Sequence, residues 1–288
     1  MSGEVLKQIA LPLALFAVLF GMGLSLVPDD FRRVILKPKA KIVGLFCQLV
    51  MLPAVAFALA LLFRLPAELA VGLMVLAACP GGATSNVITH LSKGDTALSV
   101  TLTAVSSMVC VFTIPWVVGW SMNWFMGSGA SVALPFWKTL GQLALVTILP
   151  IVCGMAVRRA RPSLALRMER PANVFALVFL VVIIAAAVAQ EKDLAHQFAV
   201  AGPAAITLNV LTMVLGFAAG WVTGLPKAQR TTISIEAGIQ NGTLALAITL
   251  GLLDSARIAM PSVVYSLFMF FTGGLMIAWA RRGHTRRP

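Results

Sequence analysis

The sequence predicts an all-α polytopic membrane protein with nine transmembrane helices, two of them interrupted, arranged as an inverted repeat. Three observations carry that prediction. First, residues AVILMFWYC make up 59% of the 288 residues and charged residues only 11%, against roughly 25% in soluble domains. A soluble sphere of this size cannot hide so much apolar surface, and the mean hydropathy of +0.95 agrees. A soluble enzyme, a disordered chain and a collagen-like chain are therefore excluded. Second, the basic residues fall in short loops with a strong bias to one side. Third, two apolar segments carry polar, Gly-bearing interruptions at matching places.

A spanning helix needs about 20 apolar residues. Nine stretches meet that length: 7–27, 40–63, 66–92, 95–121, 132–158, 171–189, 199–224, 226–252 and 256–280. The first holds one Lys, lacks a small-residue cleavage site and runs on to Val27 before Pro28-Asp29-Asp30. It reads as a retained helix rather than a signal peptide. The second and the seventh each run into a Leu-Pro dipeptide, Leu65-Pro66 and Leu225-Pro226, at which the third and the eighth open. Cys47, Cys79, Cys110 and Cys153 lie inside apolar segments without metal spacing. They read as buried small hydrophobes, with no disulfide framework.

Charge sets the orientation. With the N-terminus outside, 17 of the 22 basic residues fall in inside loops and 5 outside, as the positive-inside rule expects for nine crossings with the C-terminus in the cytoplasm. The net charge of +12 is thus a topological signal, and nucleic-acid binding has no remaining support.

The third stretch contains Cys79-Pro80-Gly81-Gly82 followed by Ala83-Thr84-Ser85-Asn86, and the eighth contains Glu236-Ala237-Gly238-Ile239-Gln240-Asn241-Gly242-Thr243. Pro removes a backbone donor and Gly permits non-helical backbone. At mid-membrane depth the freed N–H and C=O groups must find partners or line a wet cavity. In both halves a long helix, a Leu-Pro turn, a half-helix, a polar break, a second half-helix and a full helix follow in order. The second copy starts from the opposite side of the membrane. Such paired interruptions mark the binding site of a secondary transporter.

Of the ten acidic residues, only Glu236 sits well inside a segment. A carboxylate there costs about 2.5–3.5 kcal/mol on insertion scales, so it needs a partner or a function. No Lys, Arg or His lies at comparable depth, which leaves a bound cation or a proton as countercharge. Neutral oxygens accompany it: Ser85 and Asn86 at the first break, Ser99 and Thr103 on one face of the next helix, and Gln240, Asn241 and the carbonyls near Ala237 and Ile239 at the second break. One carboxylate with hydroxyl, amide and carbonyl oxygens is a hard-ligand set suited to a monovalent ion such as Na⁺.

The stretches Pro80-Gly81-Gly82-Ala83-Thr84-Ser85-Asn86-Val87, Lys93-Gly94-Asp95-Thr96-Ala97-Leu98-Ser99-Val100 and Glu236-Ala237-Gly238-Ile239-Gln240-Asn241 resemble signature stretches of the bile acid:sodium symporter family. Gly21-Met22-Gly23-Leu24-Ser25-Leu26 is similar to the first repeat of that family. The resemblance covers essentially the whole chain. It implies one transporter domain in the nine-helix form, since the chain begins where the second helix of ten-helix bacterial members would. A panel would comprise about 7–27 and 132–189, and a core about 40–121 and 199–280, with the two broken helices crossing in the core.

The resemblance further implies two co-transported Na⁺ ions. One site would use Ser85, Asn86, Ser99, Thr103 and Glu236. The other would use Gln48, Glu236, Gln240 and the carbonyls of Ala237 and Ile239. Asn241, Thr84, Gly82 and Pro80 would face the substrate in the crevice between core and panel. The chain departs from the family in the last helix, where some bacterial members carry a substrate-facing Trp-His-Asn and this one reads Met269-Phe270-Phe271-Thr272. That departure takes away polar contacts suited to bile acid itself and leaves both sodium sites intact. The implied activity is sodium-coupled import of an organic anion, bile acid-like or a small carboxylate. It would proceed by alternating access in a plasma membrane (the inner membrane of a bacterium), with no protein partner implied.

Two other readings stay open at the level of sequence. One is a proton-coupled carrier in which Glu236 titrates. The other is a relative of arsenite carriers that uses Cys79 beside the break. An integral membrane enzyme would need an acid/base pair, an activated nucleophile or metal ligands, and one buried acid without a central His supplies none.

Overall fold

The computed structural model describes residues 11–25, 38–127, 136–190 and 194–282. The chain runs through helices α1 (Leu11–Ser25), α2 (Pro38–Leu62), α3 (Ala67–Ala78), α4 (Ala83–Leu91), α5 (Thr96–Met126) and α6 (Phe136–Ala160). It continues through α7 (Pro162–Gln190), α8 (Leu194–Val222), α9 (Lys227–Gly238), α10 (Gly242–Leu252) and α11 (Ala256–Arg282). The all-helical expectation therefore holds over the described residues. Among them the one β-type pairing is an isolated antiparallel bridge between Gly81 and Gln240. Residues 7–10 and 26–27 of the first expected stretch, 132–135 of the fifth, and the loop charges Arg32, Arg33, Lys37, Lys192, Arg286 and Arg287 lie outside the described residues.

By length and composition, α2, residues 195–222 of α8, and α11 can each cross a membrane. α5 joins them as a bent span, with a 58° angle between Thr96–Cys110 and Phe112–Met126. Pro115 accounts for that bend: it lacks the N–H of the helical ladder, and its ring presses on the carbonyl one turn back. α3, at 12 residues, is about 18 Å long and too short to span alone. α9, also of 12 residues, is equally short.

The two broken segments share their backbone turns at an offset of 160 positions. Arg64 (φ 48°) and Gly224 (φ 70°) are both left-handed. The next residue in each case, Leu65 or Leu225, donates its N–H five residues back, to Ala60 at 3.0 Å and Gly220 at 2.9 Å. Pro66 and Pro226 then open α3 and α9, where a missing N–H costs nothing. Beyond the second half-helices, Lys93 (φ 54°) and Asp254 (φ 46°), one position off the 160-residue offset, turn the chain into α5 and α11.

α2 and α10 both widen into π-turns, over Cys47–Met51 and Ala247–Leu252. In α2 the Leu52 N–H reaches back to the Cys47 carbonyl, one residue further than in an α-helix. Pro53, which lacks an N–H for the regular ladder, follows directly.

In lipid, apolar surface alone does not drive helices together, so close packing must. α1 packs on α6 and α7, and those two pack on each other. A Cβ at Gly23 would overlap the Ile151 carbonyl, and one at Gly154 would overlap the Phe20 carbonyl. The glycines thus let two backbones touch. α3 packs against α5 and α11, and α9 against α8, which encloses both breaks. Residues 69–82 and 231–249 are buried almost throughout.

Candidate functional site

The site forms where the two broken segments meet. Cys79 and Ile239 leave the helical region with ψ of 151° and 99°, which ends α3 and α9 and frees their last carbonyls. The freed groups then pair with each other: the Asn241 N–H donates to the Pro80 carbonyl at 2.9 Å, beside the Gly81–Gln240 bridge. α4 and α10 restart there, the latter capped by the Asn241 side chain, which accepts from the Leu244 N–H at 3.0 Å. Two helix C-termini and two N-termini therefore face one small volume. The former favour a cation and the latter an anion.

Glu236 lies in the last turn of α9 and is buried. Its Oε1 accepts from Ser85 Oγ at 2.7 Å and from Ser99 Oγ at 2.5 Å. Its Oε2 accepts from Thr103 Oγ1 at 2.9 Å. The hydroxyls come from α4 and α5, so three helices meet on one carboxylate. Gly81 makes room for it: a Cβ there would lie 2.6 Å from Glu236 Oε2.

Oxygens outnumber protons in this cluster. Ser85 Oγ also lies 2.7 Å from the Gly82 carbonyl, and Ser99 Oγ 2.7 Å from Asn86 Oδ1 and 3.3 Å from Thr89 Oγ1. Each hydroxyl has one proton to donate. Four O···O contacts of 2.5–2.7 Å thus share the two protons of Ser85 and Ser99. A cation among these oxygens would use the lone pairs that the protons leave over.

A second cluster lies next to it. Gln48, in the π-turn of α2, donates Nε2 to the Cys79 carbonyl at 3.0 Å and to Gln240 Oε1 at 2.8 Å. Gln240 Nε2 in turn lies 3.3 Å from Gln48 Oε1, 3.2 Å from the Glu236 carbonyl and 3.0 Å from the Ala237 carbonyl. Of the expected residues, Gln240 thus touches both Gln48 and Ala237 and links the two. The Glu236 side chain belongs to the first cluster, and its carbonyl to the second.

The remaining expected residues are placed as follows. Asn86 reaches Glu236 only through Ser99. Thr84 is half-buried at the start of α4, next to Gly82, which precedes that helix. Gly82 packs 3.6 Å from the Asn241 backbone, measured from where its Cβ would be. Cys79 is fully buried and donates its thiol to the Val75 carbonyl of its own helix at 3.3 Å. In the last helix, Met269 and Thr272 are buried, and Thr272 Oγ1 donates to the Met269 carbonyl at 3.1 Å.

Two residues of this neighbourhood escaped the reading of the sequence. Asn209 of α8 donates Nδ2 to the Gly238 carbonyl at 2.7 Å, and Tyr265 of α11 donates Oη to the same oxygen at 2.9 Å. A signal existed: Tyr265 is the single tyrosine of the chain, and Asn209 is an amide deep in an apolar helix, as Gln48 is.

The Sodium Bile acid symporter family matches over residues 12–198. The uncharacterized sodium-dependent transporter YocS of Bacillus subtilis is 29% identical over 268 residues, covering 92% of this chain and 81% of its own length. The probable chloroplastic sodium/metabolite cotransporter BASS2 of rice (Oryza sativa subsp. japonica) is 28% identical over 270 residues, covering 92% and 62%. The human ileal sodium/bile acid cotransporter is 26% identical over 250 residues, covering 85% and 70%. The chain is therefore an integral, multi-pass membrane protein of the sodium bile acid symporter family, a family of transporters and not of enzymes.

Proposed function

We propose that the protein is a symporter in which two Na⁺ ions drive the uptake of one small organic anion by alternating access. The observation that carries this reading is the Glu236 carboxylate. It is buried, its partners among the described residues are hydroxyls rather than cations, and those hydroxyls are short of protons. A carboxylate so placed calls for a mobile positive charge. Ser85, Asn86, Ser99, Thr103 and Glu236 would hold the first ion. Gln48, Glu236, Gln240 and the carbonyls of Ala237 and Ile239 would hold the second, once Gln240 Nε2 turns away from the Ala237 carbonyl.

The matching turns at a 160-residue offset, and the antiparallel bridge between the breaks, support nine crossings in an inverted repeat. The mutual packing of α1, α6 and α7 supports a panel that rocks against a core of the other helices. The orientation that places the N-terminus outside and the C-terminus inside rests on the basic loops. Bound Na⁺ would neutralise Glu236 and draw the two breaks together. The N-termini of α4 and α10, with Thr84, Asn241, Gly82 and Pro80, would then present donors and positive dipole to the substrate's acid group. The sodium gradient and the membrane potential both favour inward movement, the latter by about 2.3 kcal/mol per charge per 100 mV.

A thermal-shift screen of organic anions with and without Na⁺ identifies the substrate: an anion that stabilises the protein only with Na⁺ supports the reading. Uptake of that anion into proteoliposomes then tests the coupling. Glu236→Gln should abolish Na⁺-dependent uptake in protein that still inserts, and normal, fully Na⁺-dependent uptake would refute the ligand assignment. Uptake that follows pH and ignores Na⁺ would transfer the coupling to protons.

A further inference from the structure

The Gly238 carbonyl is the last of α9 and lies between the two residues expected to offer carbonyls to the second ion. It is the one carbonyl of that stretch held from outside by two side chains. Asn209 Nδ2 donates to it at 2.7 Å from α8, and Tyr265 Oη at 2.9 Å from α11. Both side chains are fully buried. A carbonyl oxygen has two lone pairs, so these two donors fill it and take it out of ion binding. The backbone is pressed against α8 at the same point: a Cβ on Gly238 would overlap the Met213 side chain. Ser234, one turn earlier, donates to the Met213 carbonyl at 2.7 Å, which ties the same face of α9 to α8.

Asn209 gives up something for this bond. Its Oδ1 is buried and has no partner among the described residues. A buried amide with one end unsatisfied is costly, and the end that is satisfied is the one aimed at Gly238. The first half of the molecule uses a simpler device: Gln48 alone donates to the Cys79 carbonyl at the end of α3.

We propose that Asn209 and Tyr265 are positioning residues for the second sodium site. By holding the Gly238 carbonyl toward α8 and α11, they leave the flanking carbonyls of Ala237 and Ile239, and Gln240, turned toward Gln48. Neither side chain touches the ion. The inference rests on the sodium reading above.

The test uses the full-length protein in detergent, with NaCl as the ligand and KCl at equal ionic strength as the control. The melting temperature is followed against Na⁺ concentration. Tyr265→Phe keeps the ring and removes one donor. It should raise the half-stabilising Na⁺ concentration about fivefold, the size of one hydrogen bond, and lower the Hill coefficient toward one. Its melting temperature in KCl should stay close to that of the wild type. Asn209→Ala should shift the midpoint in the same direction. If Asn209→Ala does not fold, Tyr265→Phe alone decides. A Na⁺ midpoint equal to wild type, or a lower melting temperature in KCl with an unchanged midpoint, overturns the positioning role. A wild-type protein that does not respond to Na⁺ overturns the sodium reading and this inference together.

Discussion

The two broken segments share a backbone and differ in chemistry. Shifted by 160 positions, Glu236 corresponds to Leu76, Ser85 to Ala245, Asn86 to Leu246, Ser99 to Ala259 and Thr103 to Val263. All five counterparts are fully buried and apolar. The turns, the Leu-Pro entries and the breaks occur twice, while the carboxylate with its hydroxyls occurs once. The polar cluster also straddles the halves, since its acid comes from the second and its hydroxyls from the first. Duplicated geometry therefore provides the crossing, and the side chains that make it polar break the symmetry. An ion bound there would stitch one half to the other.

The comparison can be broken most completely by making the polar half like its counterpart. Glu236→Leu installs the residue that stands at position 76. Na⁺-dependent stabilisation and uptake should both fall to background, while the buried leucine keeps the protein folded. Retained sodium response in thermal shift would show that the carboxylate is dispensable.

Smaller steps sharpen the same contrast. Ser99→Ala and Thr103→Val each install the counterpart's residue and remove one hydroxyl from the carboxylate. Hydrogen bonds to a charged group are worth about 1.5–3 kcal/mol. Each variant should therefore raise the half-saturating Na⁺ concentration by about tenfold or more, with expression near wild type. Equal Na⁺ titrations for Ser99→Ala and wild type would remove Ser99 from the site.

Gly81 tests the crossing itself. Its counterpart, Asn241, carries a side chain that caps α10, whereas at position 81 a Cβ would lie 2.6 Å from Glu236 Oε2. Gly81→Ala should push the carboxylate off its hydroxyls and cost about 1–3 kcal/mol, as overpacking does. A lower melting temperature together with weakened Na⁺ response is the expected result. A lower melting temperature with an unaltered Na⁺ midpoint would mean that the carboxylate simply steps aside.

How much of this was legible in the sequence follows from what each feature depends on. The breaks were legible because Pro80, Gly81, Gly82 and Gly238 announce them locally, and Glu236 was legible because one acid inside an apolar segment stands out by cost alone. Ser99 and Thr103 were legible as one helix face and Ser85 as a polar residue at the first break, although only the fold shows that Asn86 reaches the carboxylate through Ser99. The clamp of Asn209 and Tyr265 on Gly238 was hidden. Its acceptor is a backbone oxygen, which every residue has, and its donors depend on the register of two distant helices. The π-turn that carries Gln48 was hidden for a related reason: Pro53 hints at an irregularity, but the direction in which Gln48 is then aimed depends on packing.

The smallest expected effect lies at the rim, where the halves differ by one residue in a shared turn. Gly224 and Arg64 occupy the same left-handed position, at φ 70° and φ 48°. A side chain in that conformation costs roughly 1–2 kcal/mol, a cost the first half already carries at Arg64 and the second avoids. Gly224→Ala should therefore lower the stability by about 1 kcal/mol, part of the strain being offset by a less flexible unfolded chain. A Cβ at Gly224 meets nothing within 4 Å, so no clash adds to this figure. Sodium midpoint and uptake should match wild type, because the turn lies a whole half-helix away from Glu236. A changed sodium midpoint in Gly224→Ala would show that the rim turn is coupled to the crossing, and the separation of scaffold from chemistry drawn from the two halves would then fail.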